Sequence, residues 1–299
     1  MRQSLRDLID KTIIYKYNLP DSITGTPKTI YSTEDDKCYS ILDKDSLVEI
    51  IYNSIVEYSF NEFDLTLSDF NSLHAAALRT KLKYNELATK ATKLKYGFFG
   101  EVLLYSILMV MFKAKPLIAR GYFYNPLENS ETKGYDSYQL IEDGDTIELW
   151  FGEVKFHKNH GAGLKSIINN MCNVLSDSYL ERNILSLTNQ KNNFNILGSK
   201  IENIIRAWEL NPSIKIIDEI IKYNIKLVYP ILLLYEDDGK GYDGNIKKIP
   251  EHIVTKYKPK SFKLTVDYSI FFILVPIEAV KAIKSDVIKW IELKKPLMS

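Results

Sequence analysis

Cysteine is scarce. Cys38 and Cys172 are far apart and have no ligand cluster around them, which excludes a disulfide framework and a cysteine-rich zinc site. An excess of one charge is missing too. Lys plus Arg number 39 against 38 for Asp plus Glu, a formal net charge of +1, so the surface as a whole does not attract polyanions. A basic cleft on a compensated surface stays open. Long hydrophobic runs are also lacking: Val102–Phe112 and Ile270–Ile277 are too short to span a bilayer as helices. The opening MRQSLRDLIDKTII is broken by charge and has no signal-type apolar core. No membrane association is expected, and the cytoplasm is the expected compartment. There is no internal repeat, and no G-x-x-x-x-G-K-[ST] motif, so an ATP-driven motor would have to be another polypeptide.

What is present is material for a full core. Hydrophobic residues make up 45% of 299 positions, enough for one large domain or two ordinary ones. Helical spacing runs through Leu47–Tyr58 and again around Leu73–Leu78, where Ser68 is a candidate N-cap. Residues 1–83 therefore read as a mostly helical accessory region and 84–299 as the main domain, with a helical insertion at about 188–225. The longest helical pattern, Tyr84 to Phe112, contains Gly97 and Gly100, which predicts a break near Tyr96 or a close packing contact. Strands are expected at Pro116–Tyr124, Gly134–Ile141 and Thr146–Phe156, the last two joined by a turn at Asp143-Gly144. A helix over Leu164–Leu187, strands at Val228–Tyr235 and Tyr268–Val275, and a closing helix at Ile277–Ile291 complete the series. Helix, three strands, helix, strand implies a mixed α/β sheet covered by helices.

The sharpest chemical signal is Trp150-Phe-Gly-Glu153-Val-Lys155-Phe156. Side chains alternate along a strand, so Glu153 and Lys155 share one face while Val154 and Phe156 share the other. Taken alone, Glu-x-Lys is more often a sheet-margin ion pair. Context changes the weighting. A hairpin through Gly144 sets Asp136 across from Glu153, and two carboxylates held close need a cation. Those oxygens, with the Val154 carbonyl, suit Mg2+ or Mn2+, which would neutralise charge building on a phosphate while Lys155 orients the attacking water. Glu101 is a fourth candidate for catalysis and metal binding, because Gly100 beside it lets its helix approach the sheet. Lys133, His157, Lys158, Lys165 and Ser166 are candidate DNA contacts around the cleft. With so few histidines, His157 and His160 make no zinc site. Gly239-Lys-Gly241-Tyr-Asp-Gly244 satisfies G-x-G-x-x-G, but Pro250 follows too soon for the long helix a dinucleotide site needs, so a surface turn is expected.

This arrangement resembles the PD-(D/E)xK nuclease superfamily, whose core is the same succession of elements. The resemblance implies an α/β fold with a restriction-endonuclease-like core, its mixed sheet flanked by helices. Asp136 falls on the motif aspartate, Glu153 and Lys155 on the E-x-K pair, and Glu101 on the glutamate of the preceding helix. Tyr135 stands where the motif has proline, which is not a metal ligand. GFFGEVLLY at Gly97–Tyr105, KGYDSYQL at Lys133–Leu140 and LWFGEVKF at Leu149–Phe156 are together similar to the HamA family, nuclease subunits of the Hachiman anti-phage defence system. The similarity covers roughly residues 65–290. It implies a Mg2+-dependent DNA nuclease held by a HamB-like helicase and released when foreign or damaged DNA is sensed. A catalytically silent subunit of the same fold, or an RNA-directed toxin, are the alternatives.

Overall fold

A computed structural model describes residues 1–65, 69–125, 128, 130, 131, 134–190, 198–211 and 213–298. Its centre is a seven-stranded mixed sheet of β1 (Ile13–Leu19), β2 (Asp36–Ile41), β3 (Lys115–Pro116), β4 (Ser137–Asp143), β5 (Thr146–His157), β6 (Ile225–Glu236) and β7 (Tyr268–Ile277). The spatial order is β1-β2-β7-β6-β5-β4-β3. The β2–β7, β7–β6 and β6–β5 pairs are parallel; the outer pairs are antiparallel. Helices α1 (Gln3–Thr12), α2 (Lys44–Ser59), α3 (Phe70–Thr80), α4 (Phe98–Met111), α5 (His160–Val174), α6 (Asp177–Thr188), α7 (Lys200–Glu209), α8 (Ile216–Lys222), α9 (Tyr242–Lys256) and α10 (Val280–Glu292) cover it. The first four and α10 pack on one face, α5 to α9 on the other. Covered on both faces, β6 carries the unbroken run Ile231-Leu-Leu-Leu234 instead of alternating.

The sheet alternation divides β5 between the two cores. Trp150, Val154 and Phe156 meet α4, while Ile147, Leu149 and Phe151 meet α5. Lys90–Met111 has the length and composition to cross a membrane, yet most of it is buried against this sheet and α2. The expected break lies between a single turn at Lys90–Lys93, capped by Leu94, and α4, whose N-cap is Gly97.

Four expectations differ from the structure. Pro116–Tyr124 is not a strand. Lys115–Pro116 pairs with β4 and Leu117 N–H adds one bond to Tyr138 O; the Ala119 N–H then donates to the Asn61 side chain and the chain turns through a 3-10 helix at Arg120–Phe123. The helix over Leu164–Leu187 divides into α5 and α6, because Leu175 and Asp177 form backbone hydrogen bonds with Lys263. Residues 1–83 also supply β1 and β2, whose short mixed sequences give no clear period. Lastly, a helix does follow the glycine-rich segment: α9 starts at Tyr242 and holds Pro250 within it. The turn still does not suit a phosphate. Asp237 accepts from Gly239 N–H and the Asn245 amide, and Asp238 accepts from Lys240 N–H, so carboxylates already occupy the donors. Ser68 lies outside the described residues; Asp69 caps α3 by accepting from Asn71 and Ser72 N–H.

Candidate active site

The site grows from a mismatch in strand length. β4 begins at Ser137, paired with Gly152, whereas β5 continues to His157. Beyond Gly152, the β4-facing edge of β5 has no strand to satisfy it, and buried backbone groups need partners. Side chains fill the gap. The Asp136 N–H donates to Gly152 O at 2.9 Å, and Asp136 Oδ2 accepts from Val154 N–H at 2.9 Å. Lys155 Nζ donates to Val154 O at 3.0 Å and to Glu153 Oε1 at 2.5 Å. Lys284 Nζ, from α10, donates to Phe156 O at 3.0 Å. Asp136 thus stands opposite Glu153.

Three glycines let helices reach this edge. A Cβ on Gly100 would lie 3.0 Å from Val154 Cγ2 and 3.4 Å from Phe156 Cβ, so α4 rests directly on β5. Gly152 faces Leu104 in the same way, at 2.8 Å. On the other face, a Cβ on Gly163 would meet Leu233 at 2.9 Å and Lys155 Cβ at 3.6 Å. The close approach of α4 brings Glu101 to the wall of a cleft of about 660 Å³, which is also lined by Asp136, Lys155 and Phe156. There Tyr58 of α2 donates to Glu101 Oε2 at 2.5 Å.

The electrostatics follow from burial. Glu153 is pushed well above the usual carboxylate range, first by burial and then by the Asp136 charge, with Lys155 opposing. Burial works against the Lys155 ammonium, but Glu153, Asp136 and Glu101 outweigh it and raise its pKa. Two carboxylates and one lysine therefore share a confined charge balance. Glu153 turns partly into a small apolar pocket with Tyr135, Phe151 and Met171, on the α5 side. Among the described residues, no group of three or more His, Cys, Asp or Glu side chains lies close enough to hold one ion. Asp136 acts electrostatically on Glu153 and shares the cleft with Glu101, whereas Glu153 is not among the cleft-lining residues.

The candidate DNA contacts divide. His157, Lys158 and Ser166 line the cleft. Burial, with Lys284 and Lys155, holds the His157 imidazole below its ordinary range. Lys165 is exposed on α5 and is not among the lining residues. His160 turns toward His252, with ring centroids 5.2 Å apart. Lys133 lies outside the described residues. Lys95, Lys281 and Lys284 also line the cleft. The last two had no signal in the sequence, since they look like the polar face of a closing helix.

A mixed sheet flanked by helices, with an aspartate set against a Glu-x-Lys strand, is the architecture of a PD-(D/E)xK-like nuclease fold. The family model for HamA matches residues 7–291, and the chain belongs to that family, nuclease-fold proteins of anti-phage defence. No curated protein and no solved structure matches the chain.

Proposed function

We propose that this chain is a divalent-metal-dependent DNA nuclease, with Glu101, Asp136, Glu153 and Lys155 as its catalytic residues. The observation that supports it is the meeting of Asp136 and Glu153 at the end of β4, with Lys155 bridging Glu153 and the Val154 carbonyl. Mg2+ or Mn2+ fits these donors. One oxygen of Asp136 is committed to Val154 N–H, and the burial-stressed pair gains from a positive partner. Asp136, Glu153 and the Val154 carbonyl would hold the ion, with Glu101 reaching it from the α4 wall directly or through water. When bound, the ion supplies Lewis-acid stabilisation of charge on the phosphate. The protein's own groups do the rest. Lys155, already aimed at the carboxylates, positions the attacking water and offsets negative charge in the transition state. Phe156, Val154 and the α4 wall limit solvent around it.

Family membership also supports a cytoplasmic complex with a HamB-like helicase, which delivers DNA and restrains cutting. A near-neutral surface gives little affinity for DNA by itself, in keeping with delivery by a partner. Co-expression with the neighbouring helicase followed by mass measurement tests the complex; separate elution with full cutting by the free chain would contradict restraint. A second reading, a silent nuclease-fold subunit, draws on the absence of a three-carboxylate group among the described residues. Incubation with DNA and RNA, with and without Mg2+, beside Lys155→Ala separates the readings. Mg2+-dependent DNA cleavage abolished by the substitution supports the nuclease, cleavage of RNA alone supports the toxin, and no cleavage even with the helicase supports the silent subunit.

A further inference from the structure

Lys284 is the least expected member of the cleft. It comes from α10, more than a hundred residues beyond the Glu-x-Lys strand, and its stem crosses the aromatic floor. Nζ lies 4.8 Å from the Phe156 ring centroid and 5.6 Å from that of Phe99. One of its three N–H groups goes to Phe156 O. Among the described residues no carboxylate lies within ion-pair distance of it, although burial makes an uncompensated ammonium costly. Burial alone pushes its pKa down to about 8, which leaves it charged at neutral pH. The ring faces stabilise part of that charge. Lys284 lines the cleft, so its other two donors can reach an anion bound there. Lys281 precedes it by one turn on the same cleft wall, and Lys158 lies on the segment after β5.

The backbone sets the spacing. Lys155 and Lys284 are both anchored on β5 carbonyls, those of Val154 and Phe156, two residues apart. Alternate carbonyls of a strand point the same way and lie about 7 Å apart. That is comparable to the step between neighbouring phosphates on one nucleic-acid strand. We propose that Lys284 is a positioning residue that binds the backbone phosphate next to the one addressed by Lys155, and so sets the register of the strand in the cleft. This rests on the nuclease reading for its ligand, a phosphodiester chain, but not on any turnover.

The test is oligonucleotide binding by fluorescence anisotropy in EDTA, over a salt series, with the wild-type chain, Lys284→Met and Lys284→Arg. Methionine keeps the stem packed on Phe156 and removes only the charge. Loss of one phosphate contact should weaken binding about five- to eightfold at about 0.1 M salt and lower the salt slope by about 0.7–0.9. Lys284→Arg should stay within about twofold of wild type and show that the site still folds. Unchanged affinity and slope in Lys284→Met would overturn the inference, as would no oligonucleotide binding by the wild-type chain. With Mg2+ present, the two proposals separate. Binding through Lys284 without any cleavage, with the helicase present as well as without it, would sink the nuclease reading and leave the phosphate site. Cleavage with an unaltered KM in Lys284→Met would do the reverse.

Discussion

Gly100→Val tests the contact that brings Glu101 to the cleft. A Cβ at position 100 would stand 3.0 Å from Val154 Cγ2 and 3.4 Å from Phe156 Cβ. Both neighbours belong to the central sheet and are buried on this face, so neither can withdraw freely. Valine would gain only about 0.4 kcal/mol in helix propensity over glycine. Overpacking a close interface costs about 1–3 kcal/mol, and two further methyl groups put this substitution at the upper part of that range. Net destabilisation of about 2 kcal/mol should appear as a lower urea midpoint without a change in slope. Gly244→Ala is the paired control, since its Cβ would meet only the Lys240 side chain at 3.2 Å. There the propensity gain of about 0.5–1 kcal/mol should prevail. Cleavage by Gly100→Val should fall about a hundredfold if α4 shifts by about an ångström. A Gly100→Val protein as stable as wild type would refute the close-packing argument.

Other outcomes follow from the same geometry. His74 is buried against Tyr52, and burial pulls its pKa down to about 4. Its folded value lies below the unfolded one of about 6.5, so its stability is complete above that pH and lost as pH falls toward 4, about 3 kcal/mol in all. Buried Asp36, raised to about 6, acts with the opposite sign: it gains stability as pH falls through 6 toward 3.8. Wild-type stability should therefore change little between pH 6 and 4.5 from this pair, while His74→Phe should gain about 2 kcal/mol over that interval in urea melts; equal profiles would show that His74 titrates normally. Tyr58→Phe should cost about 1–2 kcal/mol of stability and raise the Mn2+ concentration needed for half-maximal cleavage; if neither changes, the Tyr58 bond does not hold Glu101. Mg2+ at a hundred times its Kd should stabilise the wild-type chain by about 2.7 kcal/mol and leave Asp136→Asn unmoved in thermal melts. Equal shifts in both proteins would place the ion elsewhere.

Continuous apolar runs made the sheet core legible. Val228–Tyr235 and Tyr268–Val275 are too apolar to be anything but covered strands, and both are. Asp143-Gly144 located the hairpin, where Gly144 takes a φ of 55°, and thereby the register that sets Asp136 beside Glu153. Gly100 announced the close approach of α4. What escaped was decided by tertiary context. β1 and β2 are short and mixed, and become strands because β7 offers an edge. Pro250 argued against α9, yet the helix tolerates it. Lys284 had no local mark, since its importance lies in the carbonyl it meets across the fold. The hold on Glu101 was equally invisible, because it comes from Tyr58 on a distant helix.

Strand cleavage by Asp136→Asn, measured beside wild type at saturating Mg2+ with the helicase partner present, decides whether Asp136 holds a catalytic ion. Asparagine keeps the shape and can still accept the Val154 N–H, so the edge of β5 should stay intact. Wild type should cleave DNA in a Mg2+-dependent way, and the variant should lose at least about a hundredfold. Equal cleavage rates in the two proteins would contradict that role for Asp136.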